Sequence, residues 1–564
     1  MKKIFYLVLF VLCTFLLVGC DSTTHPFKLK ASSVNPYREK IDFNLVLEDE
    51  DKLLEKTSIK GTISEKGSKT VKQTKTADFK SKNTDKVSFT GLEPATEYYV
   101  EFYASYNGKK EVLLNGNYWT TDNGIPGKPY PISTVTDFNE FVRGEKTGHF
   151  ELINDIDFDG QNITPLFQSD FLGSFDGNGF SLINFNLYTE IENEDGTKTH
   201  DYTPSRDQYY GLFGKIGEGA KISNLNLENF EIHVSRDSSR NNSTYASNKH
   251  YYGVLAGECS GEIENVNIFP SKDEHGNPCK DEKGNITSVS AFYVKSENVN
   301  TQVFKVGGLV GRLTEKGTIK NCNVELDIFV EGSKDVSVGG IAGTTRGAKL
   351  IKNTVDGITE TLPNISDSSF TGKIDVKING YETNDAHITA GGLVGKNASA
   401  VIYDCIADVN FNIVSKFEKN YGQGIFVGGL VGKNLSDNSK VDKCTAEASF
   451  VVETKDEPKV DEEHKDSKIN IYIGYFAGQN GGDDVATRSV IANCTFVSKG
   501  ENSLTIFGND ELVKHVFNVV GNAKEGSKVD NPTLPTEEVG IKVEKYVPEN
   551  NTEENEPSDE PTGE

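Results

Sequence analysis

Cysteines are the first residues of this sequence that could support chemistry, either as disulfides or as metal ligands. Eight occur, and apart from Cys13 and Cys20 all lie beyond residue 250. An even number of such cysteines often indicates disulfides. Internal comparison argues against this, because one slot of a repeated phrase carries Cys in four copies and Leu225, Val266 or Thr354 in the others. A slot that exchanges Cys for Leu or Val is a small core position. We therefore predict free, buried thiols at Cys322, Cys405, Cys444 and Cys494.

Three alternating aspartates, Asp155, Asp157 and Asp159, begin like a calcium-binding loop. The pattern is incomplete, because Leu166 stands where the twelfth position needs a carboxylate. Turn formation explains the same aspartates equally well. The sequence also contains no C-x-x-C pair, no H-E-x-x-H, no G-x-S-x-G and no glycine-rich phosphate-binding motif. We predict no cofactor and no metal site, with the three aspartates as the calcium alternative.

A phrase of the form G-G-L-V-G, polar turn, I-x-N-C occurs seven times between Tyr210 and Cys494. The clearest copies begin at Val306, Ala390 and Val427. Looser copies begin at Tyr210, Tyr252, Val338 and Ile473. A unit repeated in this way predicts a solenoid, in which each coil buries its apolar face against its neighbours. The repeat positions include Gly308, Leu309, Asn321, Cys322, Gly392, Leu393, Cys405, Gly429, Leu430, Cys444 and Cys494.

The asparagine of this phrase interrupts the alternation of buried and exposed residues. In the copy ending at Val324, Ile319 lies in one phase and Cys322 in the other. An asparagine in a left-handed bend corrects the phase, and stacked copies could form a ladder of side-chain amides. The other two copies carry Asp404 and Lys443. Five copies carry asparagine at this point: Asn224, Asn265, Asn321, Asn353 and Asn493.

The region before the repeats has the pattern of a small antiparallel β domain. Apolar residues alternate from Ile41 to Leu47, and Asn107-Gly108 predicts a tight hairpin. The phrase Leu92-x-Pro94-x-Thr-x-Tyr98 resembles the tyrosine corner of fibronectin type III domains. The resemblance implies a β-sandwich in which the Tyr98 hydroxyl bonds to the preceding loop.

The repeats themselves resemble the GLUG motif of bacterial surface proteins, over roughly residues 130 to 500. The resemblance implies a right-handed parallel β-helix or β-solenoid, and we predict an all-β chain in which this solenoid follows the fibronectin-like sandwich. We expect six segments: 1–19, a lipoprotein signal peptide; 20–25, a lipidated linker; 26–122, the sandwich; 123–130, a Gly/Pro linker; 131–525, the solenoid; and 526–564, an acidic disordered tail.

The N-terminal segment carries two lysines, an apolar run, and Leu17-Val18-Gly19-Cys20. This ending resembles the lipobox of bacterial lipoproteins. The resemblance implies cleavage between Gly19 and Cys20 and a membrane anchor on the Cys20 sulfur. The formal net charge of −25 excludes nucleic acid as a partner, because the phosphate backbone would be repelled.

These observations predict a lipid-anchored, extracytoplasmic protein of the bacterial cell envelope, exposed at the cell surface as an adhesin. The solenoid would bind a protein or glycan of the host or the envelope. The alternative is a polysaccharide lyase or hydrolase on the same scaffold, with Asp176 and the Asp483-Asp484 pair as acidic candidates. Polar loops are the preferred recognition sites, together with Tyr209, Tyr210, Tyr251 and Tyr252.

Overall fold

The structure is a computed structural model, and the chain in it is almost entirely β. It describes residues 27–54, 59–79, 82–166, 169–193, 196–205, 208–236, 249–273, 275, 277–280, 288–296, 303–332, 334–346, 351–355, 358–379, 387–416, 419–436, 438–455, 459–460, 462–482, 489–507, 510–537 and 539–546. Two compact units are present. The first contains residues up to 131 together with 136–150, and the second contains 132–135 and the chain from 151 onward.

The first unit contains two antiparallel sheets around one aromatic core. The sheet orders are β1-β2-β5 and β4-β3-β6-β7. Phe43 lies at the centre of the core, where its ring packs edge-on against Phe89, Phe102 and Tyr118. The strands are β1 (Lys28–Pro36), β2 (Lys40–Glu48), β3 (Lys60–Glu65), β4 (Gln73–Thr76), β5 (Thr84–Thr90), β6 (Glu97–Tyr106) and β7 (Lys109–Trp119).

Two local features predicted from the sequence are present in this unit. The Tyr98 hydroxyl is fully buried and accepts a hydrogen bond of 2.8 Å from the Glu93 amide, five residues earlier. Asn107 and Gly108 both have positive φ, at 51° and 75°, and join β6 to β7. These are the dihedrals that a two-residue hairpin turn requires.

Residues 136–150 also belong to the first unit, although the sequence prediction begins the solenoid at residue 131. A short helical turn, Asp137–Val142, buries Phe138 and Val142. The Glu140 carboxylate accepts hydrogen bonds from Ser33, Asn35 and Asn44 of the sandwich. These bonds fix the turn against β1 and β2.

The second unit is a parallel β-solenoid built from stacked coils. One coil runs from β26 through β30, and its strands pair in parallel with those of the coils before and after it. Two sheets of 25 and 15 strands result.

Short 3₁₀ turns lie at Glu462–His464 and Asp510–Leu512. The remaining strands, in chain order, are β8 (Tyr130–Ile132), β9 (His149–Leu152), β10 (Ile156–Asp157), β11 (Asp170–Phe171), β12 (Ser174–Asp176), β13 (Ser181–Ile183), β14 (Asn186–Leu187), β15 (Thr189–Glu192), β16 (Lys198–Asp201), β17 (Thr203–Ser205), β18 (Tyr209–Tyr210), β19 (Lys215–Ile216), β20 (Lys221–Glu228), β21 (Phe230–Arg236), β22 (Lys249–Gly253), β23 (Ala256–Cys259), β24 (Glu262–Phe269), β25 (Ser290–Ser296), β26 (Val303–Gly307), β27 (Val310–Leu313), β28 (Thr318–Lys320), β29 (Asn323–Glu325), β30 (Asp327–Gly332), β31 (Asp335–Gly339), β32 (Ala342–Arg346), β33 (Ile351–Val355), β34 (Ile358–Leu362), β35 (Ile365–Ser366), β36 (Ser369–Asn379), β37 (His387–Gly391), β38 (Val394–Ala398), β39 (Val401–Tyr403), β40 (Ile406–Lys416), β41 (Gly424–Gly428), β42 (Val431–Asn434), β43 (Lys440–Asp442), β44 (Thr445–Lys455), β45 (Ile469–Asn480), β46 (Val490–Ala492), β47 (Thr495–Ser498), β48 (Ser503–Phe507), β49 (Val513–Ala523), β50 (Lys528–Asp530) and β51 (Lys542–Tyr546).

The repeated glycines form a bend between two strands of each coil. We call the strand before the bend the first arm and the strand after it the second arm. A Cβ added to Gly308 would lie 2.1 Å from the Gly340 carbonyl oxygen, and one added to Gly392 would lie 2.2 Å from that of Gly429. These glycines do not have positive φ, so close approach of the next coil, and not backbone conformation, requires them. The residues that follow the bend are fully buried and stack as Leu309, Ile341, Leu393 and Leu430.

Beyond the second arm, each repeat has one residue whose backbone lies in the left-handed region. Its φ is 52° at Asn321 and lies between 51° and 55° in the others, at Asn224, Asn265, Asp367, Asp404, Lys443 and Asn493. The side-chain amide of Asn265 donates to Asn224 at 2.8 Å, and that of Asn321 donates to Asn265 at 2.6 Å. The predicted bend and amide ladder are therefore confirmed at these positions.

A second ladder of polar side chains runs inside the solenoid. Asn397 and Asn434 are fully buried, and the Asn397 amide donates to the Asn434 side-chain oxygen at 2.9 Å. Asn434 donates in turn to Asn480 at 2.9 Å. The Thr345 hydroxyl begins the chain by donating to the Asn397 side-chain oxygen at 2.8 Å. Each buried amide thereby finds partners that water would otherwise supply.

Two boundaries differ from the sequence prediction. In the repeat that begins at Val338, the chain leaves the coil and forms the hairpin of β33 and β34, so Asn353 and Thr354 lie on that hairpin. The coil resumes at Ile365, which pairs with Ile319 and Ile402, so Asp367 and Ser368 occupy the predicted Asn and Cys slots. At the C-terminal end β50 and β51 pair with β46 and β48, so the solenoid continues to Tyr546 instead of ending at residue 525.

Candidate functional site

The repeat cysteines are core residues. Cys322, Cys405, Cys444 and Cys494 are at most 1% exposed and are free thiols. Each thiol points to the carbonyl oxygen two residues earlier, at 3.1–3.3 Å. Burial raises the pKa of Cys322 to about 12 and also raises the pKa of Cys444, whereas a hydrogen bond with Cys444 lowers the pKa of Cys494. A thiol that stays protonated is a poor nucleophile and a poor metal ligand.

The aspartates of the calcium alternative make hydrogen bonds within the fold. Asp155 accepts a bond from the Ser181 amide, and Asp157 accepts bonds from the Asp159 amide and the Asn184 side chain. Asp159 has φ of 51° and forms the turn itself. These contacts fit the turn interpretation of the sequence.

Of the acidic candidates for glycan cleavage, only Asp176 lies among the described residues. The Asp176 carboxylate accepts hydrogen bonds from the Asn178 amide and from the side chain of Asn224, and thus begins the outer asparagine ladder. Asp483 and Asp484 lie outside the described residues, as do Gly19 and Cys20.

The four tyrosines divide into two pairs. Tyr210 and Tyr252 point into the core and are 3% and 0% exposed. Tyr209 and Tyr251 lie on the outer side of the first arm, where their rings stack 5.4 Å apart. Tyr209 is partly exposed, whereas Tyr251 is only 4% exposed, so among these four rings Tyr209 is the one that a ligand could contact.

A line of basic side chains follows the outer side of the second arm. Strand pairing places Lys215, Glu258, Arg312, Thr344, Lys396 and Lys433 opposite one another in successive coils. We call the four basic residues, Lys215, Arg312, Lys396 and Lys433, the cationic row. The row faces the aromatic residues of the first arm, since Arg312 lies 4.2 Å over the Tyr251 ring and Lys433 lies 3.5 Å over the Phe426 ring. Cation–π contacts of this kind hold basic groups beside apolar surface.

Positive charge is crowded around Lys396. Burial lowers the pKa of Lys396, and the nearby Lys305, Lys249 and Arg346 lower it further, against the opposing effect of Asp335. Asp335 itself forms an ion pair of 3.0 Å with Lys305. Burial acts to raise the pKa of Asp335, but the Lys305 charge and hydrogen bond outweigh it, so the net shift is downward. Three basic residues and Asp335 thus act on Lys396 through their charges.

A second cluster lies on the 25-stranded sheet and was missed by sequence reasoning. His200 is in β16, and Glu231 and His233 are in β21, and their ligand atoms all lie within 4.8 Å of one another. The Glu-x-His spacing on a strand was the available signal, because residues two apart share one face. The third member could not be found from spacing, because the β15–β16 hairpin brings it in from outside the repeat.

No protein family and no curated protein matches this sequence. Among the described residues, no helix is long and apolar enough to cross a membrane.

Proposed function

We propose that this protein is a lipid-anchored component of the bacterial cell envelope whose solenoid binds an acidic polysaccharide along the cationic row. The observation that carries the proposal is the position of Lys396 opposite Lys433 in adjacent coils and near Lys305, in a chain with a formal net charge of −25. Burying like charges together is unfavourable. A bound polyanion would relieve that repulsion.

The geometry of the row suits a polymer better than a single small anion. Lys396 and Lys433 lie in adjacent coils of the row, about 4.8 Å apart as strands in any sheet are, whereas Lys215 and Arg312 flank Glu258 and are ion-paired with it. Tyr209 extends the surface, and its ring stacks on the buried Tyr251 beside Arg312, which donates to both phenol oxygens. Carboxylate or sulfate groups could pair with Lys396 and Lys433 while the Tyr209 ring contacts a sugar face.

The remaining parts of the proposal rest on resemblance. Cys20 would carry the lipid anchor, which places the protein outside the cytoplasm. A fibronectin type III-like spacer is supported by the two sheet orders of the first unit and by the Tyr98 hydrogen bond. A GLUG-type solenoid is supported by the glycine bend that recurs in each coil.

The competing function is cleavage of the same glycan. Near the cationic row the acids Glu258 and Asp335 are ion-paired with Arg312 and Lys305 respectively. A general acid or base must be able to exchange a proton with its substrate, and the Lys305 charge and hydrogen bond hold the pKa of Asp335 below its usual range. Binding without turnover is therefore the proposed activity.

The experiment compares an acidic oligosaccharide, such as oligogalacturonate, with a neutral oligosaccharide of equal length, by calorimetric titration of the chain lacking its signal peptide. The same mixtures are assayed for new reducing ends and for unsaturated products. The proposal predicts saturable binding of the acidic sugar alone and no new products. Equal binding of both sugars, or accumulation of product, would overturn it.

A further inference from the structure

The cluster of His200, Glu231 and His233 brings three metal-binding side chains to one point. The His233 Nε2 atom lies 2.6 Å from one Glu231 carboxylate oxygen, and the His200 Nδ1 atom lies 3.2 Å from the other. The two imidazoles therefore flank a single carboxylate. Two histidines and one glutamate form a ligand set that zinc uses in catalytic sites, where three protein ligands leave a fourth position open.

The rings of the cluster are held in fixed orientations by aromatic neighbours. Tyr188 stacks on His200 with ring centroids 3.8 Å apart and an interplanar angle of 9°. Tyr293 stacks on His233 at 4.1 Å, and Tyr202 packs against the same ring edge-on at 5.3 Å. A site whose ligands are already oriented loses less conformational entropy when a metal binds.

His233 is a poor candidate for a purely structural histidine. It is only 6% exposed, and its Nδ1 atom has no hydrogen-bond partner among the described residues. Buried polar atoms are nearly always paired, and an unpaired one costs about 1–3 kcal/mol. The ring is thus retained in the core with one nitrogen unsatisfied while the other points at Glu231.

The cluster remains accessible from solvent on one side. The His200 and Glu231 side chains are 26% and 21% exposed. Glu231 thus presents one carboxylate oxygen to each imidazole.

We propose that His200, Glu231 and His233 bind one divalent transition-metal ion of the zinc class, with an open fourth coordination position. The ion would connect the β15–β16 hairpin to β21 of the solenoid. This site is on the 25-stranded sheet and is independent of the cationic row on the other sheet.

The test uses the chain without its signal peptide or any histidine tag, after treatment with a chelator. Co²⁺ is titrated as a spectroscopic probe, and Zn²⁺ is added in competition. One equivalent of Co²⁺ should give visible absorption typical of four- or five-coordinate cobalt, and Zn²⁺ should abolish it. Metal should also slow hydrogen exchange in β16, which a binding event elsewhere would not do.

Two variants and one control complete the experiment. His200→Gln and Glu231→Gln should each weaken Co²⁺ binding at least tenfold, since each removes a ligand from a three-ligand site. His200 lies on a surface hairpin, so its replacement leaves the solenoid core unchanged. His515→Gln replaces an exposed histidine outside the cluster and should bind as the unmodified chain does. Absence of the cobalt spectrum in the unmodified chain, or unchanged binding by His200→Gln, would overturn the proposal.

Discussion

The buried asparagine ladder makes a quantitative prediction, because Asn397 satisfies four polar groups at once. Its side-chain oxygen accepts from the Thr345 hydroxyl and the Ala400 amide, and its side-chain nitrogen donates to Asn434 and to the Ala400 carbonyl. Replacing it by alanine removes all four bonds. At about 1 kcal/mol net for each bond, Asn397→Ala should destabilise its coil by about 4 kcal/mol.

The appropriate readout is local, because long repeat arrays do not unfold in one cooperative step. Hydrogen exchange of the neighbouring strand Val401–Tyr403 reports opening of this coil. Each 1.4 kcal/mol changes an equilibrium constant tenfold, so a loss of about 4 kcal/mol should speed exchange roughly a thousandfold.

A separate ladder of Asn226, Asn267 and Asn323, two residues further along each coil, supplies a control. Asn323 is exposed and donates to Asn267 at 3.0 Å, where water can replace the lost bond. Asn323→Ala should therefore change the free energy of opening of its own coil, measured by hydrogen exchange, by less than about 1 kcal/mol. If Asn397→Ala and Asn323→Ala gave equal effects, burial of the inner ladder would not be the source of its stabilisation, and the reasoning would be wrong.

Three further predictions concern the repeat and the anchor. Asn321→Gly should preserve the stability of its coil and Asn321→Val should lower it by about 1–2 kcal/mol, measured by hydrogen exchange in that coil, because φ is 52° there; equal effects would exclude a left-handed requirement. The repeat thiols should resist iodoacetamide at pH 8 in the native protein and react only in denaturant, because all four are at most 1% exposed; a Cys405–Cys444 disulfide-linked peptide in mass spectra would contradict this. Cys20→Ala should abolish incorporation of a fatty-acid analogue, and label remaining on the variant would refute the lipid anchor.

The repeated phrase predicts the solenoid well because its residues report geometry directly. Glycine is needed wherever the next coil's carbonyl lies about 2 Å from a Cβ position, as at Gly308 and Gly392. Asparagine is favoured where φ is positive, as at Asn321. Both requirements are local and recur in each coil, so they are visible in one sequence.

Long-range features were less accessible. Two segments of the sequence fit the left-handed bend of the fourth repeat, Lys352-Asn353 after Ile351 and Ser366-Asp367 after Ile365. Only the pairing of Ile365 with neighbouring coils shows that the second segment forms the bend. The cluster around His233 depends on a hairpin that folds onto the sheet, which no spacing along the chain encodes. Charge crowding around Lys396 likewise arises from residues that strand pairing brings together.

The most direct test of the proposed function is the salt-dependent affinity of the Lys396→Gln variant for acidic oligosaccharide. Lys377→Gln is the control, since Lys377 is exposed on the other sheet. Loss of a partly buried cation from the row should weaken binding about 5- to 30-fold, an effect of roughly 1–2 kcal/mol, and should reduce the slope of affinity against salt. We expect this weaker binding for Lys396→Gln and unchanged affinity for Lys377→Gln. Equal affinities for the two variants would contradict binding along the cationic row.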